Sequence, residues 1–181
     1  MSAEPEEIVR FWFEHLSPKD WYRPSASVDA EITERFGATY ETLKGGVPQE
    51  WRATPKGVLA AILVLDQFPR NMFRGTRQAF ATDDQALALA KSAVAEGMDM
   101  SLPPQQRCFV YLPFQHSEDL ADQQRSVGLF MALGNPTNLD FAYRHEEIIA
   151  RFGRFPHRNA ILGRESTEEE KAFLQQPGSS F

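Results

Sequence analysis

Cysteine is almost absent from this sequence, whose 181 residues include a single one, Cys108. One thiol excludes an internal disulfide and any zinc site built from several cysteines. Cys108 lies in the apolar stretch R-C-F-V-Y-L, which favours an inert buried thiol over a nucleophile. The sequence also lacks phosphate-loop, dinucleotide-binding and G-x-S-x-G motifs, and no two histidines have the helical spacing of metal ligands. We therefore expect neither a cofactor nor a metal.

Long apolar runs are lacking too. The run from Val58 to Leu65 is far shorter than the roughly 20 residues that cross a bilayer. The first residues, S-A-E-P-E-E, are acidic where a signal peptide would be basic. We expect a cytoplasmic protein that does not bind membranes.

Positive charge is in deficit, with 19 basic against 25 acidic residues and a formal net charge of −6. This balance argues against an extended nucleic-acid surface, which needs concentrated basic side chains. Fourteen Phe and three Trp supply enough apolar area for a packed core. Because no linker or low-complexity segment divides the chain, we expect a single domain over residues 1–181.

The stretch from Thr54 to Arg74 organises the rest of the chain. Val58 to Leu65 is apolar on every side, as expected of a buried central element. Thr54 can cap a helix and Pro55 suits its first position, so we predict a helix and not a strand. Pro69 predicts the end of that helix, because its ring removes a donor and disfavours helical geometry at Phe68.

Apolar residues recur at helical spacing in nearly every other segment, and none alternates cleanly as a strand would. The sequence therefore predicts an all-α fold of about seven to nine helices. Local signals predict several helix boundaries. Thr82 or Asp83 and Ser117 are predicted caps, and Ser166 with Glu169 is a predicted capping box. We also predict a helix after Pro103 that Pro113 breaks, and a helix end at Phe155-Pro156.

Three polar groupings interrupt this apolar pattern, each near a predicted helix end. The first comprises Asp66, Gln67, Arg70, Asn71 and Arg74; the second Gln115, His116, Ser117, Glu118, Asp119 and Gln123; the third Arg144, Glu147, Arg151 and Arg154, followed by His157, Arg158 and Asn159.

Each grouping has a structural interpretation. Asp66 and Arg70 are one helical turn apart and can form a buried ion pair. Glu118 and Asp119 suit the positive end of a helix dipole. The arginine row of the third grouping can be a solvated helix face, and His145, on an apolar stripe, is typical of a core histidine.

The groupings also have a functional interpretation, in which they converge. Guanidinium groups and the free N–H groups at a helix N-terminus suit a carboxylate or a phosphate. We predict a pocket for a small anionic ligand or an acidic peptide end, lined by Asp66, Gln67, Arg70, Asn71, His116, Ser117, Arg151, Arg154, His157, Arg158 and Asn159.

Two alternatives stay open at this point. One is a hydrolase or transferase in which His116 or His157 transfers protons and Asp66 or Glu118 orients the ring. The other is a protein-interaction module whose polar groupings serve only the fold. The sequence indicates neither a reaction nor an oligomeric state.

Three long motifs match a known family. L-D-Q-F-P-R-N-M-F-R-G-T (65–76), L-P-F-Q-H-S-E-D (112–119) and R-F-G-R-F-P-H-R-N-A-I-L-G-R-E-S-T (151–167), with the aromatic opening F-W-F, resemble the bacterial domain-of-unknown-function family 924. The resemblance implies an all-helical, tetratricopeptide-like fold of soluble proteins. It implies no activity, substrate or cofactor, so no catalytic residue follows from it.

Overall fold

The computed structural model describes residues 3–180, and every regular element in that range is helical. The all-α prediction is therefore confirmed, whereas the tetratricopeptide-like arrangement stays a prediction. The expected seven to nine helices were too few, because prolines and short turns divide the described chain into twelve α-helical segments. They are α1 Pro5–Arg10, α2 Pro18–Tyr22, α3 Ala26–Gly45, α4 Gln49–Arg52, α5 Pro55–Ile62, α6 Phe68–Met72, α7 Asp83–Ala95, α8 Pro104–His116, α9 Leu120–Leu133, α10 Pro136–Phe152, α11 Asn159–Leu162 and α12 Glu168–Leu174.

The described residues form two compact units. The first takes in residues 3–74 and Gln78–Pro113, and the second takes in Gly75–Arg77 and residues 114–180. The predicted single domain over 1–181 stays a prediction.

Helix α5, the turn Leu63–Gln67 and helix α6 form one continuous helical segment, which we call the rod. It begins after Thr54, as predicted. Thr54 accepts a hydrogen bond from the N–H of Gly57 at 3.1 Å, and Pro55 takes the first helical position. Every residue from Leu59 to Leu65 has 0% exposure, which confirms the buried helix. Helices α1, α4 and α7 pack against α5, and α3 packs against α6.

Pro69 does not end this rod, so that prediction was wrong. Leu63–Gln67 form a wide π-helical turn, in which the N–H of Phe68 donates to the carbonyl of Leu63, five residues back. The chain then continues as α6, with Pro69 in its first turn. In an α-helix the N–H of residue 69 would bond Leu65; here the hydroxyl of Thr82 donates to that carbonyl instead.

Aromatic side chains join the rod to the helices around it. The Phe68 ring lies 5.0 Å from that of Phe36 and 5.6 Å from that of Trp12, measured between centroids. Trp12 in turn contacts Phe109 edge-on at 5.7 Å. These rings bury large apolar areas, so the charged end of the rod is held on a rigid support.

In the second unit, α9 packs against α10, and Asn135 caps α10 by accepting from the N–H groups of Thr137 and Asn138. Ile148, Ile149 and Phe155 form a buried core against which Phe152 and Phe173 pack. Helix α10 ends at Phe152, with Gly153 at φ +67°, and not at Phe155-Pro156 as expected.

Three other predicted boundaries were wrong by one or a few residues. Helix α8 continues through Pro113 to His116. Asp119, not Ser117, caps α9 by accepting from the N–H groups of Ala121 and Asp122. The capping box of α12 joins Thr167 and Glu170 and not the pair one residue earlier.

Candidate functional site

The first polar grouping lies in the first unit at the end of the rod. Asp66 is fully buried, and its carboxylate lies 3.4 Å from Nη1 of Arg70, which confirms the predicted pair. The amide of Gln67 also donates to Asp66. Arg70 makes a second, two-pronged contact that the spacing did not indicate, donating to Asp83 at 2.9 and 3.0 Å. Burial would lower the pKa of Arg70, but both carboxylates act to raise it.

Asn71 and Arg74 share a different partner in this unit. Both donate to the carboxylate of Asp29 on α3, Asn71 at 2.8 Å and Arg74 at 2.8 and 2.9 Å. Burial opposes ionisation of Asp29, yet the hydrogen bonds from Arg74 and Asn71 leave its pKa below the usual value. The first grouping therefore ties α6 to α3 and α7.

The second polar grouping lies in the second unit, in the turn between α8 and α9. Gln123 is fully buried, and its amide donates to the carbonyls of Gln115 at 2.7 Å and Ser117 at 2.6 Å. Ser117 donates to Asp122 at 3.0 Å and accepts from the N–H of Asp119 at 3.2 Å. These bonds fix the backbone on which His116 and Glu118 stand.

Glu118 turns away from the start of α9, so the expected dipole role is wrong for this residue. Its carboxylate accepts two hydrogen bonds from Arg164, at 2.6 and 2.9 Å, and one from the N–H of Phe155 at 2.8 Å. Burial raises the pKa of Glu118, but these donors and the nearby charge of Arg158 give a net lowering. This carboxylate thus joins the second grouping to Phe155 and Arg164, which lie beside the third grouping in sequence.

Arg154 and Asn159 are held nearby. Arg154 donates to both oxygens of Glu170, at 2.6 and 2.8 Å, while Glu170 also accepts from the N–H of Thr167. Glu170 is 2% exposed, and its pKa is lowered to about 2, chiefly by Arg154. Asn159 donates to Ser166 at 3.0 Å and accepts from Arg164 at 3.0 Å.

The ring of Phe155 is the meeting point of three nitrogen-bearing side chains. The guanidinium of Arg158, only 7% exposed, lies 4.5 Å from the ring centroid. The rings of His145 and His157 lie 5.5 and 5.6 Å from the same ring. We call Phe155, Arg158, His145 and His157, together with His116, whose charge acts on His145, the histidine cluster.

Within the histidine cluster, His145 is a core residue, as its position on an apolar stripe indicated. It is 4% exposed and donates its Nδ1–H to the carbonyl of Phe141 at 2.7 Å. Burial lowers its pKa to about 3, and the charges of His116, Arg158 and His157 contribute. His116 and His157 are half-buried residues.

The arginine row of the third grouping divides in two. Arg144 pairs with Asp140 at 2.8 Å and Arg151 with Glu169 at 2.8 Å, and these four side chains are largely exposed. Glu147 is exposed too. Of these three arginines, Arg154 alone pairs with a buried carboxylate, that of Glu170. The solvated-face interpretation therefore fits Arg144 and Arg151.

Sequence reasoning missed the partners that hold these groups. Asp29, Asp83, Arg164 and Glu170 all take part in ion pairs but stand outside the three groupings. Arg164 and Glu170 fall within or beside the last family motif, which was a usable signal. Asp29 and Asp83 carry no local signal except their position in the first turn of a helix.

Two kinds of feature are absent from residues 3–180. No set of three or more His, Cys, Asp or Glu side chains is placed to hold a metal ion. No helix in the same range is long and apolar enough to cross a membrane.

The described residues are those of an all-α protein whose helix ends are joined by ion pairs. The chain belongs to the family described as bacterial protein of unknown function (DUF924), which it matches over residues 8–178. A solved structure of a protein of unknown function from Agrobacterium tumefaciens is 41% identical. It covers 94% of this chain and 96% of its own, with a TM-score of 0.90. No functionally curated protein matches.

Proposed function

We propose that this chain is a binding protein that holds a small anionic ligand or an acidic peptide end at the histidine cluster. The observation that carries the proposal is the group of nitrogen-bearing side chains around Phe155. The guanidinium of Arg158 lies 4.5 Å from the centroid of that ring, and the ring of His157 lies 5.6 Å from it. These side chains offer hydrogen-bond donors of the kind that bind a carboxylate or a phosphate.

The positions of these groups support an anion at Arg158. Arg164 and Arg154 are each committed to a carboxylate through two hydrogen bonds, which fixes the walls of the site. Arg158 lies over an aromatic face, where a guanidinium is desolvated and its attraction for an anion is stronger than in water. His116 and His157 add imidazole nitrogens that can donate hydrogen bonds to an anion.

The other predicted ligand residues are engaged with partners within the chain. Asp66, Gln67, Arg70 and Asn71 bond one another or partners within the first unit, which favours a structural role. Arg151 is engaged with Glu169 at the surface. We keep His116, His157 and Arg158 as the ligand-binding residues, with Ser117, Arg154 and Asn159 as their supports.

Thermal unfolding in a panel of anions tests the proposal. Phosphate, sulfate, citrate and a short peptide with a free C-terminus are titrated against the full chain. A true ligand at a hundred times its dissociation constant should add about 2.7 kcal/mol to the free energy of unfolding. His157→Gln and Arg158→Gln should weaken that stabilisation, whereas Arg125→Gln, at an exposed position of α9, should not.

A panel without any stabilising anion would contradict the proposal, as would an equal response of Arg158→Gln and Arg125→Gln. Because Arg158 is buried, its variant can lose stability by itself. His157→Gln, at a half-buried ring, therefore provides the independent reading.

A further inference from the structure

A cleft of about 410 Å³ opens in the first unit, on the side of α5 that faces α4 and α7. We propose that it binds a small amphipathic carboxylate, with an alkyl chain in the cleft and its carboxylate on Arg52. The volume lies within the range of small-molecule sites. This site is independent of the histidine cluster, which belongs to the second unit.

The walls of the cleft are mainly aliphatic. Val47, Val58, Leu89 and Met98 line it, together with Ala88 and small or polar neighbours. Val58 is 4% exposed and belongs to the rod, so the cleft has a rigid floor. An alkyl chain that enters it gains about fourfold in affinity for each methylene removed from water.

Arg52 supplies the charge that selects a carboxylate. Its side chain lines the cleft and is exposed. Within residues 3–180 its guanidinium forms neither an ion pair nor a hydrogen bond, in contrast to Arg70, Arg154 and Arg164. A guanidinium beside an aliphatic cleft matches a ligand that is anionic at one end and apolar along the rest.

The other polar groups of the lining are already occupied. Gln85 donates its amide to the carbonyl of Lys44 at 3.1 Å, and Ser92 donates its hydroxyl to Glu96 at 2.6 Å. The carboxylate of Glu96 thus has a partner of its own. Neither Gln85 nor Ser92 competes with Arg52 for the ligand's charge.

Calorimetric titration of the full chain with octanoate tests the proposal, with acetate and octanol as matched probes. Octanoate should bind more tightly than either, because acetate lacks the chain and octanol lacks the charge. Affinity should rise from butanoate to octanoate. Arg52→Gln should weaken octanoate about five- to tenfold while leaving octanol unchanged. Ala88→Trp should abolish binding by filling the cleft, whereas Arg10→Gln and Ala95→Trp, exposed and outside the lining, should not.

Several results would overturn the proposal. They are equal affinity for octanoate and octanol, an unchanged affinity in Arg52→Gln or Ala88→Trp, and no binding at millimolar octanoate. Tighter binding of a leucine-ended peptide that Ala88→Trp removes would assign the cleft to a protein partner instead. A dimer that Ala88→Trp dissociates would assign it to a second copy of the chain. His157→Gln should leave octanoate binding intact, so this proposal and the anion site fail separately.

Discussion

Arg164 donates two hydrogen bonds to the carboxylate of Glu118, from Nη1 to Oε2 at 2.6 Å and from Nη2 to Oε1 at 2.9 Å. The two residues are 46 positions apart in sequence, so this contact closes the turn before α9 onto the segment after α11. The same carboxylate caps the N–H of Phe155, whose ring is the centre of the histidine cluster. The pair therefore positions the proposed anion site.

Glu118→Gln should reduce the free energy of unfolding by about 2 kcal/mol, because it removes a charge-assisted contact and leaves Arg164 half-paired. Urea unfolding followed by circular dichroism measures the change. Glu147→Gln, at an exposed position of α10, is the control and should stay within about 0.5 kcal/mol of the wild type. Equal effects of the two variants would show that the pair contributes nothing to stability.

Arg70→Ala should be far more costly than Arg74→Ala. Arg70 is a cationic partner of Asp66, which has 0% exposure, so Arg70→Ala removes a positive charge from beside a buried carboxylate at a cost of about 3 kcal/mol. Arg74 is 45% exposed in its pair with Asp29, and such surface pairs contribute about 0–1 kcal/mol. Chemical denaturation of both variants gives the comparison. The reverse order would contradict the assignment of Arg70 as the buried partner.

His145 should make the protein less stable as pH falls below neutral. Its pKa drops from 6.5 to about 3 on folding, so between these two pH values His145 is protonated in the unfolded chain and neutral in the native state. The contribution of His145 is complete above pH 6.5 and is lost progressively toward pH 3. An NMR titration of the four imidazoles should leave His145 neutral at pH 5. A His145 midpoint near 6.5 would refute this assignment.

Glu170 should add a second acid-sensitive component. Its pKa falls from 4.5 to about 2 on folding, so its stabilising effect is present above pH 4.5 and disappears as pH falls through about 2. Glu170→Gln should flatten the dependence of unfolding free energy on pH in this window. Glu169→Gln is the neighbouring control and should keep the wild-type slope, because it leaves Glu170 and Arg154 intact.

Two helical glycines should respond oppositely to alanine. A Cβ at Gly57 would lie 2.2 Å from the carbonyl oxygen of Trp51, which is backbone and cannot move aside. Gly57→Ala should therefore destabilise the protein by about 2 kcal/mol. Gly128 sits inside α9 with open space around it, so Gly128→Ala should stabilise by about 0.5–1 kcal/mol. Thermal denaturation of both variants checks the signs.

The sequence was informative where structure depends on neighbours in the chain. Thr54 and Pro55 fixed the start of the rod, and the spacing of Asp66 and Arg70 indicated their pairing. Boundaries set by longer contacts were missed. The rod continues through Pro69, which has no N–H to donate to the carbonyl of Leu65. Thr82, 13 residues further on, donates its hydroxyl to that carbonyl instead.

The candidate site was less accessible to sequence reasoning. Opposite charges can be paired in many ways, and only the folded chain decides that Glu118 takes Arg164 and that Arg154 takes Glu170. The arginines that looked most available for an anion are committed to carboxylates of this chain. The sequence also does not indicate that the guanidinium of Arg158 lies 4.5 Å from the centroid of the Phe155 ring.

The wide turn at Leu63–Gln67 determines how the residues beyond it are rotated about the helix axis. If these five residues closed into an ordinary α-helical turn, everything beyond them would rotate about the helix axis by about 100°. Arg70 would then point away from Asp83, and Asn71 and Arg74 away from Asp29. The wide turn therefore sets the direction in which all three side chains leave the helix.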